Sequence, residues 1–278
     1  MRPIIGVELE FYLQKNNQKL EDENLISSFI KKFAGQNPFI LAIEKEQGAG
    51  QIEIKTIAES NISNLCRDII SMKQSAVLLA QQLGLEANFL AQAFLDDCGS
   101  ALQINLNFIN KQNHNLFAQQ ENQQESQILS YSIGGLLQLA NQIMIFLAPN
   151  KTDYLRYDLE LNFCLFKKKK YTAPVNLSWG YDNRSAAIRI PASKIGQERR
   201  LELRLAASNA DIYLVIISTL LAIKYGIENH ISAPAALYGN AFDEKYNLPV
   251  LIKDYQNAYD QFFHSANPLL KFFNMNLG

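Results

Sequence analysis

Five separated stretches of this chain alternate apolar and polar residues with a period of two: GVELEFYL (6–13), QIEIK (51–55), ALQINLNF (101–108), AAIRIP (186–191) and RLELRL (200–205). Successive side chains on a strand leave opposite faces, so this pattern predicts half-buried strands. In the first stretch Val7, Leu9 and Phe11 share one face, while Glu8 and Glu10 share the other, roughly 7 Å apart at ~3.4 Å of rise per residue. Gln51 and Glu53 likewise oppose Ile52 and Ile54, and Gln103, Asn105 and Asn107 oppose Leu102, Ile104, Leu106 and Phe108. Arg189 opposes Ile188 and Ile190, and Glu202 and Arg204 oppose Leu201, Leu203 and Leu205. Together these strands predict a sheet with an oily side for helices and a side of Glu, Arg and amides. A solvated sheet face alternates in the same way. Such faces usually favour lysine and threonine, however, and lysine is nearly absent from these positions. Carboxylates and guanidiniums gathered on one concave face suit divalent cations and phosphates together. Hard cations such as Mg²⁺ take carboxylate and phosphate oxygens, and arginine forks clamp phosphate or carboxylate through paired bonds.

The remaining pattern completes an α+β order. Strands are expected at 3–13, at 38–55 with a break at the turn EQGAGQ, and at 101–109, followed by an Asn- and Gln-rich surface loop from 110. Shorter strands are expected at 174–179, 185–190 and 200–205. Helices are expected at 23–34, at 61–84 ending before Gly84, at 125–147 ending before Pro149 and at 209–226 ending at Gly226, with one or two more closing the chain. With no repeat and no linker, residues 1–278 read as one α+β domain.

Composition excludes several classes. Hydrophobic residues at 48% and charged residues at 19% describe an ordinary globular chain. Lys+Arg at 26 against Asp+Glu at 27 leaves no global field to draw nucleic acid or a membrane. The one dense basic run, Lys167 to Lys170, reads as a solvated loop. Cys66, Cys98 and Cys164 form no metal spacing and no CxxC, which suits a reduced, cytoplasmic setting. MRPIIGVELE enters a strand without a signal-peptide core. The greasy segments at 128–148 and 211–227 fall short of the ~20 unbroken apolar residues of a span and read as buried helices.

With those residues in place, the chain resembles the catalytic domain of glutamine synthetase. GVELEFYL is similar to that family's opening strand with paired metal-binding glutamates, and EQGAGQIEI (46–54) to the loop and strand carrying two more. APVNLSWGYDNRSAAIRIP (173–191) is close to the family's APVN, SWG, NRSA and IRIP signature. RRLELRLAASNADIYL (199–214) and NKTDYLRY (150–157) resemble further blocks, and all occur in family order. The resemblance implies an α+β fold with a curved antiparallel sheet, its polar face catalytic and its other face backed by helices, and ATP and Mg²⁺ or Mn²⁺ as cosubstrate and cofactor. Glu10, Glu46 and Glu53 match ligands of a first metal, and Glu8 and Glu202 two ligands of a second. Gln103 stands where the second metal's histidine belongs; an amide oxygen is a weaker, neutral donor. Arg156, Arg184, Arg189 and Arg204 match arginines that bind the substrate carboxylate and phosphate and stabilise phosphoryl transfer. Gly99 matches a loop glycine near the amino-acid substrate. Arg199 and Arg200, with Arg189 and Asn107, match the nucleotide side.

The departures are as telling. Asn105 replaces a second active-site histidine, Cys98 an asparagine, and Thr172 a flap glutamate that helps bind and deprotonate ammonium. His114, His230 and His264 lie outside the motifs. The family's N-terminal β-grasp domain has no counterpart, so a monomer or small homo-oligomer is expected rather than a dodecamer. Groups for metal, nucleotide and carboxylate are kept and groups for ammonium are lost. The resemblance therefore implies a ligase that activates a carboxylate, the γ-carboxylate of glutamate or a similar acid, and joins it to an amine other than ammonia. A degenerate family member that binds nucleotide or glutamate in a regulatory role is the alternative. A phosphotransferase acting on a guanidino acceptor, which shares the catalytic-sheet architecture, lacks any further motif here.

Overall fold

The alternating stretches become strands of one sheet in the computed structural model, which describes residues 1–119, 126–170, 173–193 and 196–273. The strands are β1 (Arg2–Lys15), β2 (Gln18–Lys19), β3 (Ile40–Lys45), β4 (Gln51–Thr56), β5 (Glu86–Asn88), β6 (Leu102–Ile109), β7 (Trp179–Tyr181), β8 (Ile188–Ile190) and β9 (Leu201–Leu203). The helices are α1 (Glu23–Gln36), α2 (Ile62–Gln82), α3 (Gln127–Leu147), α4 (Leu159–Lys167), α5 (Ile212–Glu228), α6 (Tyr255–Phe263) and α7 (Leu270–Phe273). The open sheet runs β3-β4-β1-β6-β9-β8-β7, and β2 and β5 also pair with β1.

One expectation about the sheet is corrected. It is mixed, because β7 and β8 pair in parallel while the other strand pairs are antiparallel. Both strands are only three residues long, so the short segment 182–187 suffices to carry the chain back alongside. The strand expected at 174–179 forms only at its last residue. Before it, Asn176 Nδ2 donates to the Ala241 carbonyl at 2.5 Å and Ser178 Oγ to Asn176 Oδ1 at 2.8 Å, which holds an irregular segment in place. The strand expected at 185–190 shortens to β8 because Ser185 is held in a turn, its N–H and Oγ both donating to Asn183 Oδ1. A 3₁₀ helix at Lys151–Tyr157 and the helix α4 lie outside the elements expected from the sequence.

Helix starts follow local chemistry. Asp22, Asn61, Ser126 and Asp211 each accept a hydrogen bond from the first-turn N–H groups of α1, α2, α3 and α5, satisfying donors the helix itself cannot. Gly84, at φ +68°, ends α2 in a conformation that costs other residues a Cβ clash. Gly226 does not end α5, which runs on to Glu228. Its role is close approach: a Cβ there would meet the Tyr131 carbonyl at 2.2 Å, and one at Gly135 the Ala222 carbonyl at 2.4 Å, so α3 and α5 cross backbone to backbone. By length and composition α3 could cross a membrane, yet it packs against α5 with 56% of its most apolar window buried.

The apolar strand faces and the helices share one core. Val7, Leu9, Phe11, Ile52, Ile54, Ile104 and Leu203 are buried with Phe29 and Phe33 of α1, Ile69 of α2, Ile133 of α3 and Val215 of α5. Each such side chain contributes about 1.5–3 kcal/mol by leaving water. That core pins the register, since a slip of one residue would turn every carboxylate of the opposite face inward. Lys170 departs from the solvated loop expected for its run: it reaches the buried Asp97 at 2.6 Å, while Lys167, Lys168 and Lys169 are exposed. Residues 120–125 of the Asn- and Gln-rich loop lie outside the described residues, as does Thr172.

Candidate active site

Strand register sets the polar face. Glu8 stands opposite Lys55 on β4 and Gln103 on β6, Glu10 opposite Glu53, Asn105 opposite Glu202 on β9, and Glu202 opposite Arg189 on β8. Directly opposed residues share a face with Cβ atoms ~5 Å apart, so acids dominate on β1 and β4, and guanidiniums gather on β8 and at the two ends of β9 around Glu202. Loops close the edges. The β3–β4 turn brings Glu46; it needs Gly50 for a positive φ of +77° and Gly48 because a Cβ there would strike the Tyr12 hydroxyl. Gly99 packs so tightly that a Cβ would meet Arg156 Cγ at 2.7 Å. Arg156 comes from the 3₁₀ helix and Arg184 from the turn before β8.

The result is a cavity of about 460 Å³. Glu8, Glu10, Glu46, Glu53, Gln103 and Glu202 all line it, as do Gly99, Arg156, Arg184, Arg189, Arg200 and Arg204. A neighbouring cavity of about 290 Å³ shares Glu8, Lys55 and Arg200 with the first and adds Asn105 and Asn107. Arg199 lines neither; its carbonyl accepts from Asn115 Nδ2 at 2.7 Å and its guanidinium lies 5.9 Å from the Tyr181 ring centre. Sequence reading missed Lys55, whose ammonium pairs with Glu53 at 2.7 Å and also bonds Glu44. Its place two residues after Glu53 was the available signal, and it puts a paired lysine on a face expected to hold almost none. Cys98 also lines the cavity, with burial pushing its thiol up to about 12. The three histidines stay outside both cavities.

Electrostatics divides the floor in two. On the acidic side, burial first and the neighbouring Glu202 and Glu53 next raise the Glu8 carboxyl to about 7. Burial and Glu46 raise Glu10 to about 7 as well. Burial also raises Glu46 and Glu53, with Glu10 and Glu46 adding to the second despite Lys55. Glu202 goes the other way: burial would raise it, but the Arg204 and Arg189 guanidiniums hold it below the usual carboxylate range. Carboxylates crowded enough to resist ionisation are short of positive charge, and their hard oxygens are the donors that Mg²⁺ or Mn²⁺ takes. The donor set therefore fits a divalent cation on the β1–β4 side. Among the described residues no three such side chains yet converge as a cage, so binding requires the glutamates to turn toward one another. On the basic side Arg156 and Arg204, both more than nine-tenths buried, each keep an Nε with no hydrogen-bond partner. Buried donors of that kind await an acceptor.

The chain is similar to known proteins over most of its length. The chain is 26% identical over 279 residues to gamma-glutamylputrescine synthetase PuuA of Escherichia coli K12, covering 90% of this chain and 56% of the relative. It is 28% identical over 215 residues to glutamate–isopropylamine ligase of a Pseudomonas species (77% and 44%). It is 30% identical over 283 residues to a glutamine synthetase of Pyrococcus horikoshii (92% and 60%). The chain thus spans between two fifths and three fifths of the length of these curated relatives. Its fold superposes on the solved structure of a GmaS/ADP complex with a TM-score of 0.81 at 21% identity, over 95% of this chain and 64% of that one. The family model for the glutamine synthetase catalytic domain matches residues 20–277, and the chain belongs to that family.

Proposed function

We propose that this chain is the catalytic unit of an ATP- and divalent-metal-dependent ligase that joins the γ-carboxylate of glutamate to an amine other than free ammonia. The observation that carries the reading is the convergence of Glu8, Glu10, Glu46, Glu53 and Glu202 with Arg156, Arg184, Arg189 and Arg204 around one cavity. The similarity to a glutamate–isopropylamine ligase and to a γ-glutamylputrescine synthetase supports an organic amine as acceptor.

In this reading Glu10, Glu46 and Glu53 hold the cation, which when bound neutralises phosphate charge. Asn107 and Arg200 border the smaller cavity and receive the nucleotide, with Arg199 behind them. Arg156 and Arg204 meet the acid with their open Nε donors, and Gly99 leaves the room Arg156 needs. The γ-carboxylate oxygen attacks the terminal phosphorus of ATP, ADP leaves, and an acyl phosphate forms. Arg184 and Arg189 stabilise the charge on the transferring group, since such transfer demands positioning and neutralisation rather than covalent help. A neutral amine then attacks the acyl carbon, phosphate leaves, and the amine's proton passes to solvent or a cavity carboxylate. Amine-dependent ADP release, with glutamate and Mg²⁺ or Mn²⁺ across a panel of alkyl amines and diamines, tests this. Absence of ADP release with every amine overturns it.

The crowded acids also predict a pH signature. Glu8 and Glu10 titrate near 7 when folded, against an ordinary 4.5, so between those values the folded chain binds more protons than the unfolded one. Their contribution is full below the ordinary value and is lost as pH rises through about 7. With chelator present, the melting temperature is expected to fall by on the order of 5 °C from about pH 5.5 to about pH 8. Saturating Mn²⁺ is expected to remove most of that fall. A chelated protein that melts higher at about pH 8 contradicts the assignment of these carboxyls.

A further inference from the structure

Gln103 has both ends of its amide committed. Its Nε2 donates to Glu10 Oε1 at 2.6 Å, and its Oε1 accepts from an Arg204 terminal nitrogen at 3.0 Å. The orientation is forced, because a guanidinium only donates and the amide oxygen must face it. The same Arg204 nitrogen donates to Glu202 Oε1 at 2.6 Å, and Glu202 Oε2 accepts from Arg189 at 2.8 Å. Glu202 is 1% exposed and Gln103 5%. Glu8, the third oxygen donor of this group, accepts from Asn105 Nδ2 at 2.9 Å, whose Oδ1 accepts from Arg200 Nε at 2.9 Å.

We propose that the chain binds one divalent cation where its family's pattern has two, because the Arg204 guanidinium takes the second cation's place between Gln103 and Glu202. Fixed positive charges already satisfy the three oxygens of Gln103 and Glu202: Arg204 holds Gln103 Oε1 and Glu202 Oε1, and Arg189 holds Glu202 Oε2. A metal entering there would have to expel a guanidinium from a buried carboxylate, against like-charge repulsion, and beyond that carboxylate would meet only a neutral amide oxygen and Glu8, which Asn105 Nδ2 already holds. The β1–β4 side differs: Glu10 is met there by an amide and by the Ala101 N–H, and Glu53 by Lys55. A histidine at 103 would change the balance, since one ring nitrogen facing Glu10 as donor leaves the other a lone pair suited to a metal, not to an incoming N–H and a metal at once. Glutamine supplies donor and acceptor together, which is what a guanidinium neighbour uses.

The inference rests on the ligase reading for its expectation of a cation, and the two fail separately. Titration of the full chain with Mn²⁺, following free Mn²⁺ by electron paramagnetic resonance, is expected to saturate at one equivalent. Two tight equivalents, or none, overturn the proposal; a chain releasing ADP with two bound would leave the ligase reading intact. Arg204→Met removes the guanidinium at similar volume and is expected to admit a second equivalent. Arg204→Gln keeps an N–H for Glu202 and carries the same expectation should the methionine variant fail to fold. A folded neutral variant that still saturates at one equivalent overturns the proposal.

Discussion

Glu10→Gln is expected to lower amine-dependent ADP release by roughly 10²–10³-fold, the scale seen when a preorganised electrostatic group is removed from a reaction site, while leaving the chain folded. Glu10 Oε2 accepts from the Ala101 N–H at 2.8 Å, and a glutamine oxygen can keep that bond. What is lost is a formal charge on the cation side of the cavity, together with the acceptor that Gln103 Nε2 uses. Burial and Glu46 already make that charge costly in the metal-free protein. Neutralising it offsets the cost of leaving Gln103 Nε2 without its acceptor, so the melting temperature near pH 8 is expected to change little. Steady-state ADP release and thermal melts on one preparation check both halves. A variant that keeps full activity would show that Glu10 serves packing alone.

Glu202→Ala carries the largest expected loss of stability. This carboxylate accepts from Arg189 and Arg204 at 2.8 and 2.6 Å and is almost fully buried. Removing one member of a buried charged group strands the others, at about 3–5 kcal/mol, or on the order of 10 °C in melting temperature for a chain of this size. Its pH dependence is opposite to that of Glu8 and Glu10. A carboxyl held below its ordinary value contributes stability above that value and loses it as pH falls through the lowered one. The wild-type advantage over the variant in urea unfolding should therefore be present at neutral pH and shrink in acid. An advantage that grew with acidity would contradict the pairing.

Particular residues mark what could be read in advance. The period-two stretches placed Glu8, Glu10, Glu53, Gln103, Glu202 and Arg204 on one face before any coordinates, because pleating is a local property of the backbone. Family motifs added Glu46, Gly99, Arg156 and Arg184, which strand periodicity alone does not reach, since they sit on turns and a 3₁₀ helix. Lys55 was visible in the same alternation and was passed over. The parallel β7–β8 pair had no local mark because the short link 182–187 does not itself say whether the strands pair parallel or antiparallel, and the Gly135–Gly226 crossing had none because its residues lie far apart in sequence.

The sequence by itself determined which side chains face the helices and which face the cavity, since that needs only a strand's alternation and an apolar core to orient it. Only the tertiary structure decided that Glu10 stands against Glu53, that Lys55 joins them, and that Arg204 lies between Gln103 and Glu202. The reason is physical: strand register and the partner a charged group chooses are set by non-local pairing across four strands, and no single stretch of the chain carries that information.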